Sequence, residues 1–156
     1  MAYDLHGYWD ADVETLGSIV RGQADIREIA NDTLPLWFDG LDPAKINFGL
    51  AYYGRGYTLA DPSCNTLGCS FSGPSKAGPC TNYAGVMSLR ETQQKIASDN
   101  LTPLLLSEAM MKQITFDDQW IGYDDEDTIT LKKAWADGEC FGGTMVWSVD
   151  FASEGR

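Results

Sequence analysis

Four stretches carry side chains whose types and spacing could do chemistry. Phe141 to Asp150, FGGTMVWSVD, reads as a strand that ends in a large ring, Trp147, followed by a carboxylate, Asp150. An indole at a strand end can serve as a ligand platform, but the simpler reading is a core aromatic, because large rings are buried more often than they bind. Ile46 to Tyr57, INFGLAYYGRGY, brings Tyr53 and Arg55 to its end. Arg55 there is either a solvated strand end or a cation at the rim of a cleft. At the start of the chain Met1 and Tyr3 share a face by strand alternation, and Asp4 falls just past the strand end. Asp124-Asp125-Glu126-Asp127 has the look of a catalytic or metal cluster. Consecutive carboxylates ahead of an amphipathic segment need no such role, since they cap a helix and meet its dipole.

The four cysteines give a second kind of chemistry. Cys64, Cys69 and Cys80 crowd a Gly/Pro/Ser-rich segment and Cys140 lies far downstream. A zinc site wants paired CxxC or Cys/His spacing, and the single histidine, His6, is remote in sequence, so disulfides in a secreted protein fit better. The pairing stays open. Asn31-Asp32-Thr33 and, less favourably before Pro103, Asn100-Leu101-Thr102 are glycosylation sequons that suit the same compartment. No charged and apolar leader opens the chain, so a secreted parent implies that its beginning lies upstream. No motif calls for a cofactor or metal.

Composition bounds the partners. The 156 residues, 44% of them hydrophobic, are enough for one packed domain. A net charge of -12 argues against nucleic acid and against an anionic membrane, and leaves a neutral polymer or small neutral ligand open.

The elements that must hold these side chains alternate strand and helix. Asp25-Ile26-Arg27-Glu28 has the form of a capping box, with Ile26, Ile29, Ala30 and Leu34 at helical spacing, and Pro35 should end or kink that helix. In INFGLAYYGRGY, Ile46, Phe48, Leu50 and Tyr52 make a large apolar face for packing under helices. Gly49 and Ala51 suit the crowded interior of a closed barrel, with Tyr53 and Arg55 emerging at its C-terminal rim. Residues 61–79 read as an irregular, cross-linked loop. Ser88-Leu89-Arg90-Glu91 is a second capping box, opening a helix to about Ser98. Short strands are expected at Leu104–Leu106, after Met110 and at Ile114–Phe116, so that 59–116 forms a small α+β insertion. Trp120–Tyr123 is a strand, and Thr128–Asp137 a helix with Ile129, Ala134 and Trp135 on its apolar side. The last strand, from Phe141, has small or apolar residues on both faces and suits a covered parallel sheet. The whole pattern is that of an α/β fold.

With these residues in place, the chain resembles the C-terminal part of a glycoside hydrolase family 18 chitinase, of the fungal subgroup related to the chitinase subunit of yeast killer toxins. MAYDLHGYWD resembles the M-x-Y-D segment of the family's sixth barrel strand, INFGLAYYGRGYTL its seventh strand with the Y-G-R signature, and FGGTMVWSVDF its eighth with the characteristic Trp. DPSCNTLGCSFSGPSKAGPC resembles the subgroup's cysteine loop, and WIGYDDEDTITLKKAW the segment before the eighth strand. Two departures are Arg21-Gly22-Gln23, where the family has a more polar, His-containing stretch, and Pro35 in a helix the family keeps unbroken. The larger departure is that the catalytic signature D-x-x-D-x-D-x-E does not occur.

The resemblance implies about strands six to eight of a (β/α)8 TIM barrel, a fold that takes about 250 residues in full. Residues 1–58 and 117–156 would be barrel and 59–116 the insertion. It implies hydrolysis of β-1,4-linked N-acetylglucosamine polymers, in which a glutamate protonates the glycosidic oxygen and the substrate's acetamido oxygen attacks the anomeric carbon with net retention, the substrate-assisted exception to the two-carboxylate scheme. In that scheme Tyr3 donates to the acetamido group, Trp147 floors the sugar, Asp4 and Arg55 bond sugar hydroxyls or the acetamido group, and Met1 and Tyr53 line the cleft. None replaces the acid, so the isolated chain is expected to bind chitin or chito-oligosaccharides without hydrolysing them. Rival readings are a chitinase-like lectin, a toxin or secreted protein that uses the fold for wall attachment, and a nonfunctional remnant. The expected location is extracellular or the cell wall.

Overall fold

The computed structural model describes residues 1–152; the last four residues of the 117–156 segment lie outside the described residues. The elements in order are a 3-10 turn Tyr8–Asp12, α1 Ile26–Phe38, a 3-10 turn Pro43–Lys45, β1 Asn47–Ala51, β2 Tyr53–Leu59, β3 Phe71–Pro74, β4 Val86–Ser88 and α2 Leu89–Asp99. They continue with β5 Leu104–Leu106, β6 Met111–Phe116, β7 Gln119–Tyr123, α3 Glu126–Gly138, β8 Gly143–Trp147 and a 3-10 turn Val149–Phe151. β1 and β8 form a parallel pair, and an antiparallel sheet runs β3-β2-β7-β6-β5 with β4 also on β2. That antiparallel sheet therefore takes in strands from Tyr53 to Tyr123.

β1 does what its alternation predicts. Phe48 and Leu50 are buried against Ile26 and Ile29 of α1 and Ile129 and Ala136 of α3. On the other face a Cβ on Gly49 would stand 3.1 Å from the Met1 Cα and 3.2 Å from the Ala2 nitrogen, so glycine is what lets the opening segment cross the strand. β1 and β2 are nevertheless two strands, where one was expected over Ile46–Tyr57. Tyr52 is the joint: its N–H donates to the Trp147 carbonyl at 2.7 Å, while its own carbonyl accepts from Leu89 N at 2.9 Å. Past Ala51 the backbone leaves β8 and takes up β4 and β7. The approach of β7 is close, for a Cβ on Gly54 would stand 2.8 Å from the Gly122 carbonyl oxygen.

Other expectations need correction. Residues 1–4 form no strand; Asp4 has φ 60, which turns the chain away, and Leu5 N bonds Gln23 O at 3.0 Å. α1 continues through Pro35 to Phe38. The lost bond falls on the carbonyl of Asn31, an exposed residue, and Trp37 against Phe141, with ring centroids 5.8 Å apart, holds the last turn. Asp25 caps α1 through Arg27 N, and Glu28 bonds His6 Nε2 at 3.0 Å in place of closing the expected box. The 61–79 segment contains β3, and a disulfide joins Cys64 to Cys69, with Cys80 and Cys140 free and exposed. β8 is not covered on both faces: Thr144, Met145 and Trp147 are exposed, since β8 has β1 as its one partner among the described residues.

The local signals for α2 and α3 hold. Ser88 and Glu91 make a reciprocal capping box, and Asp125 caps α3 through Asp127 N and Thr128 N. The acidic run is a helix cap with one addition. Asp124 is buried and accepts from Lys132 Nζ at 2.6 Å, and the same ammonium donates to the Ala24 carbonyl at 2.7 Å. The buried side of α3 is thus Thr128, Ile129, Lys132 and Ala136, with Trp135 half-buried against Phe48 and Phe141 and Ala134 exposed. Removing one partner of a buried pair leaves an uncompensated charge. Lys132→Ala should lower unfolding stability by about 3–5 kcal/mol in chemical denaturation, and a loss below about 1 kcal/mol would show the pair to be dispensable.

Candidate functional site

A cleft of about 410 Å³ is lined by Asp4, Tyr53, Arg55 and Trp147 together with Tyr8, Trp9, Thr81, Tyr83, Val86 and Phe151. Its organising group is the Asp4 carboxylate. Arg55 Nε donates to Asp4 Oδ1 and Arg55 Nη2 to Oδ2, both at 2.8 Å, and the Tyr53 hydroxyl donates to Oδ1 at 2.7 Å. A bidentate guanidinium fixes both position and plane. The guanidinium carbon also lies 4.8 Å from the Trp9 ring centroid and 5.5 Å from that of Tyr53, so the cation is held on two ring faces. Burial raises the Tyr53 phenol far above its ordinary pKa, and the hydrogen bond to Asp4 adds to that, so Tyr53 is a neutral donor.

Trp147 is 55% exposed at the end of β8, with its carbonyl fixed by Tyr52 N and a cis peptide to Ser148. Its ring is open to solvent and is not a core aromatic. Phe151 follows one 3-10 turn later and packs edge-on to Tyr53 at 6.2 Å. The wall thus comes from different elements: Asp4 and the Tyr8–Asp12 turn, β2 of the antiparallel sheet, the loop before β4, and β8.

Two expected residues stand apart. Tyr3 is buried behind the cleft, edge-on to Tyr53 at 6.0 Å, with its hydroxyl 3.9 Å from Met145 Sδ. Burial first, and then the Asp4 charge, raise its phenol. Met1 lines a separate apolar cleft with Ala2, Leu36, Phe48 and Phe141. The residues that sequence reasoning did not single out are Tyr8, Trp9, Thr81, Tyr83 and Phe151. The available signal was the aromatic pair Tyr8-Trp9 directly after Tyr3-Asp4. Among the described residues no group of His, Cys, Asp or Glu could hold a metal ion, and no helix is long and apolar enough to cross a membrane.

A half-open cleft with exposed indole and phenol rings and a fixed guanidinium suits a neutral, hydroxyl-rich ligand with flat ring faces. Comparison with known proteins then gives the family. The sequence profile described as Glycosyl hydrolases family 18 matches residues 1–152. The chain belongs to that family. It is 30% identical over 156 residues to "Endochitinase" of Brugia malayi, with 97% of this chain and 31% of that protein covered. Among solved structures, "immunomodulatory active chitinase from Trichuris suis, TsES1" aligns with TM-score 0.83 and 29% identity over 97% of this chain and 42% of the other. A "plant class V chitinase mutant from Cycas revoluta in complex with (GlcNAc)3" aligns with TM-score 0.81 and 25% identity, covering 97% and 41%. The mixed α/β fold is that of the family's chitinase structures, and the chain spans about a third of the length of the endochitinase it matches.

Replacing the carboxylate by its amide removes the charge while keeping an acceptor and a side chain that tolerates positive φ. In Asp4→Asn the Tyr53 phenol should titrate at lower pH than in the native chain, though still above an ordinary tyrosine because burial is its larger cause. Tyrosine ring-carbon resonances followed through an alkaline titration would read this. An unmoved Tyr53 would mean that Asp4 does not govern it.

Proposed function

We propose that the chain is the C-terminal portion, about strands six to eight, of a family 18 (β/α)8 barrel with a small α+β insertion at 59–116, and that its cleft positions β-1,4-linked N-acetylglucosamine polymers. The observation that carries this reading is the meeting of Asp4, Tyr53, Arg55 and Trp147 in one cleft, each from the segment whose motif resembles the family's. The parallel pairing of β1 with β8 fits the closing strands of such a barrel. That a related Cycas revoluta protein is described with (GlcNAc)3 bound supports the ligand class.

In this reading Trp147 floors a sugar ring, Arg55 bonds its hydroxyl or acetamido oxygens through the N–H groups that Asp4 leaves free, and Tyr53, whose proton goes to Asp4, lines the cleft. Tyr3, the acetamido donor that the resemblance implies, stands behind Tyr53 outside this lining, and Met1 lines the separate apolar cleft. The full parent would use substrate-assisted retention, but its acid is not on this chain. The shorter spacing D-x-D-x-E does occur at Asp10, Asp12 and Glu14. It lies in and after a 3-10 turn and not on a strand; Asp10 is buried on His6 Nδ1 at 2.7 Å, and Asp12 and Glu14 face solvent away from the cleft. This chain therefore acts as a substrate-positioning part, and a chitin-binding lectin or toxin subunit is the second reading that a cleft without its acid favours. The Cys64–Cys69 disulfide supports an extracellular or cell-wall location and the fungal subgroup's cysteine loop.

Binding and hydrolysis separate cleanly here. Tryptophan fluorescence titrated with N-acetylglucosamine oligomers should saturate, and Trp147→Ala should weaken binding by about tenfold or more, on the scale of a lost ring stack. The purified chain should release no fluorophore from a fluorogenic chitobioside. Turnover, or binding untouched by the Trp147 change, would contradict the reading.

A further inference from the structure

Glu91 makes more bonds than a helix cap requires. Its Oε2 closes the capping box, accepting from Ser88 N at 2.9 Å and Ser88 Oγ at 2.7 Å. Its Oε1 faces the other way and accepts from Cys80 N at 2.6 Å, Thr81 N at 2.9 Å and Thr81 Oγ1 at 3.3 Å. The carboxylate is 3% exposed. Burial alone would raise it, but the bonds from Ser88, Thr81 and Cys80 outweigh that and bring it down to about 2, so the anion persists across the working range of any secreted protein.

The loop it grips belongs to no strand or helix. Gly78 packs against Oε1 so closely that a Cβ would stand 2.5 Å from that oxygen, and Asn82 N returns to the Gly78 carbonyl at 3.0 Å. From this knot the chain presents Thr81 and Tyr83 to the cleft that holds Trp147. Tyr83 is 58% exposed. Tyr8 lines the same cleft, and Tyr83 is the first cause of its raised phenol. Gly85, at φ 81, gives the Tyr8 ring its room, since a Cβ there would lie 2.9 Å from Tyr8 Cδ1. The exposed Tyr83 ring thereby follows, at the edge of the cleft, a loop whose Thr81 the Glu91 carboxylate holds from behind.

We propose that Glu91 is the positioning residue for the Gly78–Tyr83 loop, and that Tyr83 so placed is a specificity-determining ring that takes a further sugar unit of an oligomer extending past Trp147. The second half rests on the reading of the cleft as a site for N-acetylglucosamine oligomers; the first does not. An exposed phenol ring offers a face to a sugar and a hydroxyl to its rim, while the loop is ordered in advance and costs little on binding.

Two measurements on the full chain test the two halves. In the ligand-free state, amide exchange at Cys80 and Thr81 should quicken by about tenfold or more in both Glu91→Gln and Gly78→Ala, with α3 amides unchanged as the check that the fold persists. Gly78→Ala displaces the loop without touching the charge, so it serves where Glu91→Gln unfolds α2. Unchanged exchange at Cys80 and Thr81 overturns the positioning role. In fluorescence titrations Tyr83→Ala should weaken the hexamer of N-acetylglucosamine by about tenfold while leaving the trimer near its native affinity, and Gly78→Ala should follow it. Native hexamer affinity in Tyr83→Ala, beside a clear loss in Trp147→Ala, overturns the role of Tyr83 and leaves the cleft standing. Failure of either oligomer to bind the native chain overturns the cleft reading and the sugar role of Tyr83 together, while the exchange result still decides the role of Glu91.

Discussion

A single carboxylate, that of Asp4, ties the opening segment to the antiparallel sheet. It accepts two bonds from Arg55 and one from Tyr53, all between 2.7 and 2.8 Å. Asp4 sits at φ 60, a backbone state that an Asp side chain tolerates better than most. The turn it makes sends the chain on to Tyr8 and Trp9, and Trp9 then covers the guanidinium that Asp4 holds. Without that charge two donors would lie beside apolar rings with no acceptor, and the cost of leaving such groups unpaired is what makes the arrangement specific. The cleft is therefore a consequence of one ion pair and one left-handed residue.

The rest of the molecule fixes the distance between this group and Trp147. β1 carries β8 in parallel register, with Ala51 opposite Trp147, and Tyr52 then bonds the Trp147 carbonyl before the chain enters β2. Tyr53 and Arg55 follow within three residues. One short run of backbone thus reads the position of the indole and places the guanidinium, and small movements of β8 would be felt at Arg55. Behind it Phe48 and Leu50 are locked between α1 and α3, and the Asp124–Lys132 pair pins α3 to the end of β7 and to Ala24. The family assignment fits this economy, since family 18 likeness spans residues 1–152 and so takes in both sheets.

How far the sequence foretold this depends on how local each signal is. Ser88 with Glu91, and Asp125 ahead of α3, announce their helices because cap and partner lie within four residues, and the short strands expected at Leu104–Leu106 and Trp120–Tyr123 are present as β5 and β7, while those expected after Met110 and at Ile114–Phe116 are one strand, β6. The break at Tyr52 was invisible because alternation runs through it unbroken; only the bonds to Trp147 and Leu89, made across the fold, divide β1 from β2. Pro35 was misread for the opposite reason, in that a strong local rule was overridden by packing of Trp37 on Phe141. Asp4, Tyr53, Arg55 and Trp147 came from motif resemblance and do meet. Of the remaining lining residues the adjacent Tyr8-Trp9 pair is the one signal the sequence holds, while Tyr83 is placed through a carboxylate eleven residues from Cys80 and carries none.

The central claim is that this cleft, and not the apolar one beside Met1, receives the sugar. Resonance mapping of the chain during titration with the trimer of N-acetylglucosamine tests it most directly. The account predicts saturable shifts at the Trp147 indole N–H, the Arg55 Nε–H and the Trp9 indole N–H, with Ile29, Leu36 and Phe141 at rest. Shifts confined to the Met1 cleft, or none at any of the three, would contradict it.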